Sequence, residues 1–337
     1  MKAIVQHRYG PPDEVLKLEE IDRPEVGDDE VLVRVRAASV HPDVWHVVRG
    51  VPYVLRLMGA GLRRPNRAVP GTDVAGTVES VGRNVTRFRT GDQVFGESVS
   101  GYQWNNGGAY AEYAAVPEHA LALKPSNVTF EEAAAVPTSG FIALQAVREQ
   151  GRVQPGQRVL INGAGGGVGM IALQLAKASG ANVTGVDSAA KLDLVRSLGA
   201  DQVIDYGQQD FTRGDERYDL IVDIPGNHSF PECRRALTPH GIYVLVGHDL
   251  FGTVGRRVLG SLPRFMKLMA MTPFVSQLPR LTFSMPAKRE SMAVLRELLE
   301  SGRLTPVVDR TFPLIEVPEA IRYFEEGRAR GKVVIAI

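Results

Sequence analysis

The chain has 337 residues, one cysteine (Cys233) and a formal net charge of +1. This length suggests about two domains and allows a large hydrophobic core. A single cysteine excludes an internal disulfide and any metal site that needs several thiolates, and the near-zero charge argues against binding to nucleic acid. The first residues lack the apolar stretch of a signal peptide, so we expect a cytoplasmic protein.

Short strand patterns dominate the first third of the sequence. From Val31 to Val35, every second residue is a valine, which gives the period of two expected for a strand. Two further stretches, 71–82 and 91–95, are punctuated by glycine. The pattern is typical of a compact β-barrel, whose bends need residues that tolerate positive φ angles.

The pattern changes near residue 126. Thr129 and Glu132 have the spacing of a helix capping box. From residue 158 onward, strand and helix patterns alternate, which predicts an α/β domain with a parallel sheet and right-handed crossovers. One of these helices, predicted over 189–198, precedes Gly199, which we expect to end it. The predicted strands are 159–161, 183–186, 203–204, 220–222 and 242–246.

A glycine-rich loop follows the first of these strands and precedes a helix. Gly163, Gly166 and Gly169 have GxxGxxG spacing. A tight turn needs glycine, phosphate oxygens can approach only where no Cβ intervenes, and N–H groups at a helix start bind a pyrophosphate. Asp187 lies 24 positions after Gly163, where an adenosine ribose is bound in such folds. The loop therefore predicts a dinucleotide site; a glycine turn without a ligand is the alternative.

The chain resembles the medium-chain dehydrogenase/reductase superfamily, and within it the zinc-independent, chloroplast-envelope-like quinone oxidoreductases. The resemblance implies a Rossmann doubly wound parallel sheet inserted into a GroES-like β-barrel catalytic domain. The catalytic domain would comprise residues 1–125, completed by 286–337, and the Rossmann domain residues 126–285, with cofactor and substrate in the cleft between them. The matching motifs are 70–76, 91–94, 108–113, 134–137, 163–169, 196–201 and 330–334.

The resemblance also bears on whether the protein binds a catalytic zinc ion. Zinc-dependent relatives place ligands where this chain has His41, Thr72 and the alanines 133–135. A catalytic zinc site needs about three protein ligands, so we predict none; a new trio of His41, Asp43 and His46 is the less favoured alternative. Without a Lewis acid, hydride transfer to a quinone or an enone is favoured over alcohol oxidation, because such an acceptor spreads the incoming charge over its own π-system.

Three residues are candidate proton donors. His41 stands where quinone oxidoreductases usually have asparagine, His46 stands where tyrosine is common, and Tyr53 is one residue from a second family tyrosine. The resemblance assigns the proton to none of them individually, so all three remain catalytic candidates.

Two signals bear on the cofactor. Asp187 would repel a 2′-phosphate and favours NADH, whereas Lys191 and Tyr206 fall where relatives bind that phosphate, and Ser188 adds a hydroxyl donor nearby. We predict NADPH, with NADH as the alternative. Other cofactor-binding positions implied by the resemblance are Thr138, Gly167, Val168, Asn227, Val246, Gly247 and Lys332.

The expected activity is therefore reduction of a small-molecule quinone or α,β-unsaturated carbonyl by an NAD(P)H-dependent homodimer. The alternatives are an NAD(P)-dependent alcohol dehydrogenase and a non-catalytic NADPH-binding protein. Basic and apolar residues interleave over 250–285. A substrate lid or an oligomer contact is favoured there over a membrane-surface helix, because the charges are few and prolines break any long helix. We do not expect membrane contact.

Overall fold

The computed structural model describes residues 1–99, 105–247, 257–279 and 287–337. The strands are β1 (Lys2–Gln6), β2 (Leu16–Glu20), β3 (Glu30–Val40), β4 (Asp73–Val81), β5 (Gln93–Glu97), β6 (Tyr113–Pro117), β7 (Leu121–Leu123), β8 (Arg158–Asn162), β9 (Asn182–Asp187), β10 (Gln202–Asp205), β11 (Tyr218–Asp223), β12 (Leu237–Leu245), β13 (Val308–Pro313) and β14 (Lys332–Ala336). The α-helices are α1 (Pro12–Val15), α2 (Pro42–Arg49), α3 (Phe130–Ala134), α4 (Pro137–Leu144), α5 (Gly167–Ala178), α6 (Leu192–Ser197), α7 (Phe230–Arg235), α8 (Leu262–Met271), α9 (Lys288–Glu300) and α10 (Val317–Glu325).

The chain forms two compact units. Unit 1 comprises Met1–Ser139, Ala287–Gly302 and Pro306–Ile337, and unit 2 comprises Gly140–Pro286 and Arg303–Thr305. The sequence predicted a division after residue 125. In the structure, unit 1 continues to Ser139, because α3 packs against β3 and β4 of that unit.

Unit 1 is built around a mostly antiparallel sheet in the strand order β13-β14-β3-β4-β5-β7, with β6 also paired to β3; β1 and β2 form a separate antiparallel pair. Along β3, Val33 and Val35 are buried while Arg34 and Arg36 are exposed, so the predicted period of two holds over residues 33–36; Leu32 is buried like its valine neighbours. Gly76 marks a close crossing of strands, since a Cβ there would lie 2.2 Å from the carbonyl oxygen of Arg34. The glycine punctuation of this region thus reflects backbone proximity as well as bends.

Unit 2 contains a parallel sheet in the order β10-β9-β8-β11-β12, which confirms the predicted α/β class. The order reverses beside β8, as in Rossmann folds, so the carboxyl ends of β8, β9 and β11 meet at one edge. The capping box of Thr129 and Glu132 is formed, and Gly199 ends α6 with a φ of +100°. The helix predicted over 189–198 is instead a 3₁₀ turn followed by α6.

The segment 250–285 is described only over residues 257–279. There Pro263 occupies the first turn of α8, where its missing N–H costs nothing, so it begins a helix rather than breaking one. The inner side of α8 buries Leu268 in a core cluster with Tyr243 and Phe230. Among the described residues, none of the helices combines the length and the apolar character needed to cross a bilayer.

Candidate functional site

The glycine loop of unit 2 has the geometry of a phosphate cradle. Gly163 follows β8 with a φ of +84°, a conformation that side chains rarely adopt. A Cβ on Gly169 would lie 2.0 Å from the carbonyl oxygen of Gly163, so the helix can pack this closely only without a side chain. The N-cap of the 12-residue helix α5 is Gly166, which has no side chain to cap the first amides. Those N–H groups are placed to bind a pyrophosphate, so the loop fits a dinucleotide.

Gly167 and Val168 form the first turn of α5, as the phosphate-binding assignment requires. Asn227 and Gly247 flank the same edge of the sheet. The Asn162 side chain at the end of β8 donates to Asn227 Oδ1 at 3.0 Å. Gly247 lies against the backbone after β11, because a Cβ there would meet Ile224 O at 2.5 Å. The predicted cofactor-binding residues Asn227 and Gly247 therefore lie at the same edge of the sheet as the glycine loop.

Asp187 closes the glycine loop. Its Oδ2 accepts from Gly165 N at 2.7 Å, and its Oδ1 accepts from Ser188 N at 2.8 Å. The side chain is buried, and both carboxylate oxygens are bonded to backbone amides of its own unit. The carboxylate therefore orders the loop, a role that the sequence analysis did not consider.

The three residues predicted near the 2′-phosphate surround Asp187. Tyr206 N donates to Asp187 O at 3.2 Å, and Lys191 N donates to Ser188 O at 2.9 Å. The Lys191 side chain lies over Gly165, since a Cβ built on that glycine would be 2.9 Å from it. Tyr206 is 61% exposed, so its hydroxyl is accessible to a ligand. The structure thus places the Lys191 side chain and the Ser188 hydroxyl beside the loop, with Tyr206 exposed nearby.

A buried polar cluster that the sequence analysis did not identify supports this sheet edge. Asp223 at the end of β11 is fully buried and accepts from Asn162 Nδ2 at 2.9 Å and from Tyr243 Oη at 2.8 Å. Val246 belongs to the same edge, because its N–H donates to Asp223 O at 3.0 Å. Burial, reinforced by the Asp223 charge, raises the pKa values of Tyr243 and Cys233. Burial and a raised pKa both disfavour the thiolate of Cys233, which is the reactive form of a cysteine.

Unit 1 contains a second polar centre around Asp73, which is fully buried at the start of β4. Ser39 Oγ donates to Asp73 Oδ2 at 2.6 Å, and Thr138 donates to Oδ1 through its N–H at 2.9 Å and its hydroxyl at 2.6 Å. Lys332 Nζ lies 3.6 Å from Oδ2. Burial alone would raise the pKa of Asp73, but the charges of Lys332 and His41 and the two hydroxyl donors outweigh it and hold that pKa below its usual value.

Thr138 connects this carboxylate to a second one. Its Oγ1 is also 2.8 Å from Glu97 Oε1, and Glu97 Oε2 pairs with Lys288 Nζ at 2.5 Å. The side chains of Glu97 and Lys288 are both almost completely buried. The pair escaped sequence analysis because Lys288 is nearly 200 positions from Glu97 and lies in no recognisable motif. Lys332 also lies 3.3 Å from Ser139 Oγ, so the predicted cofactor residues Thr138 and Lys332 belong to one network.

His41 and Thr72 occupy the positions of two zinc ligands in zinc-dependent relatives. Here His41 Nε2 lies 2.7 Å from Thr72 Oγ1, and its Nδ1 lies 3.3 Å from Asp43 Oδ2. An imidazole hydrogen-bonded to a neutral hydroxyl is not a zinc donor set. Across the described part of the chain, no three His, Cys, Asp or Glu side chains are grouped to hold a metal ion. These residues do not fit a zinc ion, and the alternative trio with His46 is not assembled as a ligand set.

The three proton-donor candidates differ in accessibility. His41 is 2% exposed and His46 is 8% exposed, whereas Tyr53 is 44% exposed. His46 Nδ1 is hydrogen-bonded to Val51 O at 2.8 Å. The Tyr53 ring stacks on Arg56, whose guanidinium carbon lies 4.7 Å from the ring centre. The structure therefore brings His41 to Asp43 and Thr72, and it places Tyr53 in an accessible position.

Two family models match the chain. Residues 27–126 match a model described as the alcohol dehydrogenase GroES-like domain, and residues 198–335 match one described as a zinc-binding dehydrogenase. The first covers most strands of unit 1. The second begins within unit 2 and continues through the C-terminal residues of unit 1.

Named relatives match over nearly the whole chain. A 2-methylene-furan-3-one reductase of Solanum lycopersicum is 34% identical over 99% of this chain and 79% of its own. A chloroplastic quinone oxidoreductase, QR1, of Triphysaria versicolor is 31% identical over 99% and 98%. Among solved structures, the quinone oxidoreductase from Coxiella burnetii superposes with a TM-score of 0.83 at 28% identity, covering 100% of this chain and 99% of that one.

Proposed function

Because this chain belongs to the quinone oxidoreductase branch of the medium-chain dehydrogenase/reductase superfamily, we propose that it is an NADPH-dependent reductase of quinones or α,β-unsaturated carbonyls that works without zinc. One observation supports the proposal that the enzyme works without zinc. Thr72 Oγ1 lies 2.7 Å from His41 Nε2, where a metal-dependent relative needs a ligand. The names of the relatives support the two substrate classes.

The preference for NADPH rests on the contacts of Asp187. In an NADH enzyme, a carboxylate at this position bonds the ribose hydroxyls. Here both Asp187 oxygens accept from backbone amides, and Lys191, Ser188 and Tyr206 stand next to it. A cation and two hydroxyl groups provide the charge and the donors that a 2′-phosphate requires.

The cofactor supplies a hydride when it is bound. The chain's own residues then have two tasks, which are to hold the reactants and to provide a proton for the oxyanion that develops on the substrate. Tyr53 is the exposed candidate for direct donation from its hydroxyl. His41 is buried, so it would supply a proton through the Thr72 hydroxyl, with Asp43 stabilising the charged imidazole at 3.3 Å.

The test measures NADPH oxidation with a panel of quinones, enones and saturated alcohols or ketones, before and after exhaustive chelation. Turnover of quinones or enones that survives chelation is the expected result. Activity that chelation abolishes and zinc restores would refute the zinc-free proposal. Tyr53→Phe and His41→Gln separate the donors: we expect the true donor variant to lower kcat and to leave the KM for NADPH unchanged.

An alcohol dehydrogenase is the second candidate, because the match over 27–126 is to an alcohol dehydrogenase domain. Oxidation of an alcohol without enone or quinone reduction would establish it. Cofactor binding without turnover of any acceptor would instead favour a non-catalytic NADPH-binding protein. The homodimer and the cytoplasmic location stay predictions.

A further inference from the structure

A loop of unit 1 holds large apolar side chains in water. In residues 53–68, which we call the arginine loop, Leu57 is 74% exposed, Met58 is 47% exposed and Leu62 is 62% exposed. Gly59 and Gly61, with φ angles of +122° and +112°, turn the backbone between them. Exposed apolar residues scattered singly are ordinary, whereas three within six positions are a concentration that favours an interaction site.

The base of the arginine loop is firmly built. The Arg56 guanidinium lies 4.3 Å from the ring centre of Tyr9 and donates from Nε to Gly50 O at 2.8 Å. Tyr9 Oη donates to Gly61 O at 2.6 Å, and Asn66 N donates to Ala60 O at 2.9 Å. The exposed tip of the loop is therefore anchored to the rest of unit 1 by these contacts.

The same loop carries a local excess of positive charge. Arg63, Arg64 and Arg67 are exposed. The arginine loop contains four arginines and no aspartate or glutamate, although the whole chain has a net charge of only +1. The positive charge is thus concentrated where the apolar side chains are exposed.

We propose that the arginine loop docks the protein on an anionic lipid surface. Leu57, Met58 and Leu62 would enter the boundary between headgroups and acyl chains, while the neighbouring guanidinium groups bind lipid phosphates. A second copy of this chain is a poorer occupant, because a two-fold contact would set the same arginines against each other. This proposal replaces the expectation of no membrane contact. Tyr53, a candidate proton donor, begins the same loop, so vesicle binding and turnover are measured separately.

The experiment is co-sedimentation of the full chain with vesicles of phosphatidylcholine alone and of phosphatidylcholine mixed with phosphatidylglycerol. Binding to the anionic vesicles only, weakened by salt, is the expected result. We expect the triple variant Leu57→Ser/Met58→Ser/Leu62→Ser to lower the partition coefficient by about tenfold or more, because it removes the inserted apolar surface. Each arginine among 63, 64 and 67 that is replaced by glutamine should lower it by about fivefold.

Matched controls test whether the loop itself is responsible. Ile315→Ser removes an apolar side chain of unit 1 that is 63% exposed, and Arg83→Gln with Arg89→Gln removes two exposed charges. Their partition should equal that of the unchanged protein. Several results would overturn the proposal: no binding to anionic vesicles at low salt, controls that lose binding as strongly as the loop variants, or loop variants that bind fully but no longer dimerise. Loss of turnover on a water-soluble enone with vesicle binding intact would instead make the loop part of the substrate site.

Discussion

Replacing Lys332 with methionine tests the buried ion pair that anchors the polar centre of unit 1. Lys332 Nζ lies 3.6 Å from Asp73 Oδ2, and the side chains are 5% and 0% exposed. Methionine keeps much of the apolar stem but removes the charge, so buried Asp73 keeps its hydrogen bonds from Ser39 and Thr138 but loses its lysine. Breaking a buried pair in this way costs about 3–5 kcal/mol of unfolding free energy.

The cost should depend on pH in a defined direction. Burial raises the pKa of Asp73, and Lys332 makes the largest of the contributions that lower it. Without Lys332 this pKa rises. Protonation removes the buried charge of Asp73, so the higher its folded pKa, the sooner a falling pH relieves the variant. The deficit of Lys332→Met should therefore be largest near neutral pH and should shrink as the pH falls toward about 4.

Urea unfolding followed by tryptophan fluorescence measures this deficit, because both tryptophans, Trp45 and Trp104, lie in the part of the sequence that forms unit 1. Arg83→Met is the control, since Arg83 forms an exposed pair at 2.6 Å that is worth at most about 1 kcal/mol. The double variant Asp73→Asn/Lys332→Met should recover part of the lost stability. The reasoning is refuted if Lys332→Met and Arg83→Met cost the same near neutral pH.

Three further predictions concern unit 2. Gly169→Ala would put a Cβ 2.0 Å from Gly163 O, so we expect cofactor affinity, measured by quenching of protein fluorescence, to fall about tenfold or more; unchanged affinity would contradict the cradle. Lys191→Ala should raise the KM for NADPH while sparing that for NADH, whereas the neighbouring control Arg196→Ala should alter neither; equal effects on both cofactors would contradict the phosphate assignment. Cys233 is buried and its pKa is raised, so iodoacetamide should label it only after denaturation; rapid labelling of the native protein would be inconsistent with this environment.

Most of the fold could be predicted because its signals are local. The alternating valines of β3, the capping box at Thr129 and the strand–glycine–helix sequence around Gly163 each report a conformation set by neighbouring residues. The residue at which a helix starts depends less on neighbouring residues and is therefore harder to predict from the sequence. The turn at 189–191 is separate from α6, whose N-cap is Lys191 with a φ of −111° and a ψ of −7°, and the side chain of this residue lies over Gly165, which is distant in sequence.

The site was predictable in one unit and only partly in the other. In unit 2, phosphate binding uses consecutive residues, so the spacing from Gly163 to Gly169 contains the information. In unit 1, the polar centre joins Asp73, Glu97 and Lys288 from three separated segments. Nothing in the neighbourhood of Lys288 distinguishes it from a solvated helix residue. Its burial arises from tertiary packing, which the charge and periodicity of the local sequence do not predict.

The buried charges of unit 1 are best understood through the backbone that they fix. Thr138 Oγ1 has one proton but lies within 2.8 Å of a carboxylate oxygen on both Asp73 and Glu97, so at any moment it donates to only one of them. Each carboxylate also has a nearby lysine, Lys332 for Asp73 and Lys288 for Glu97. Thr138 N donates to Asp73 in either case, so the start of α4 stays in place whichever carboxylate accepts the hydroxyl. A purely apolar core could not orient this residue, and a cofactor-binding position, which the resemblance predicts for Thr138, requires a fixed orientation.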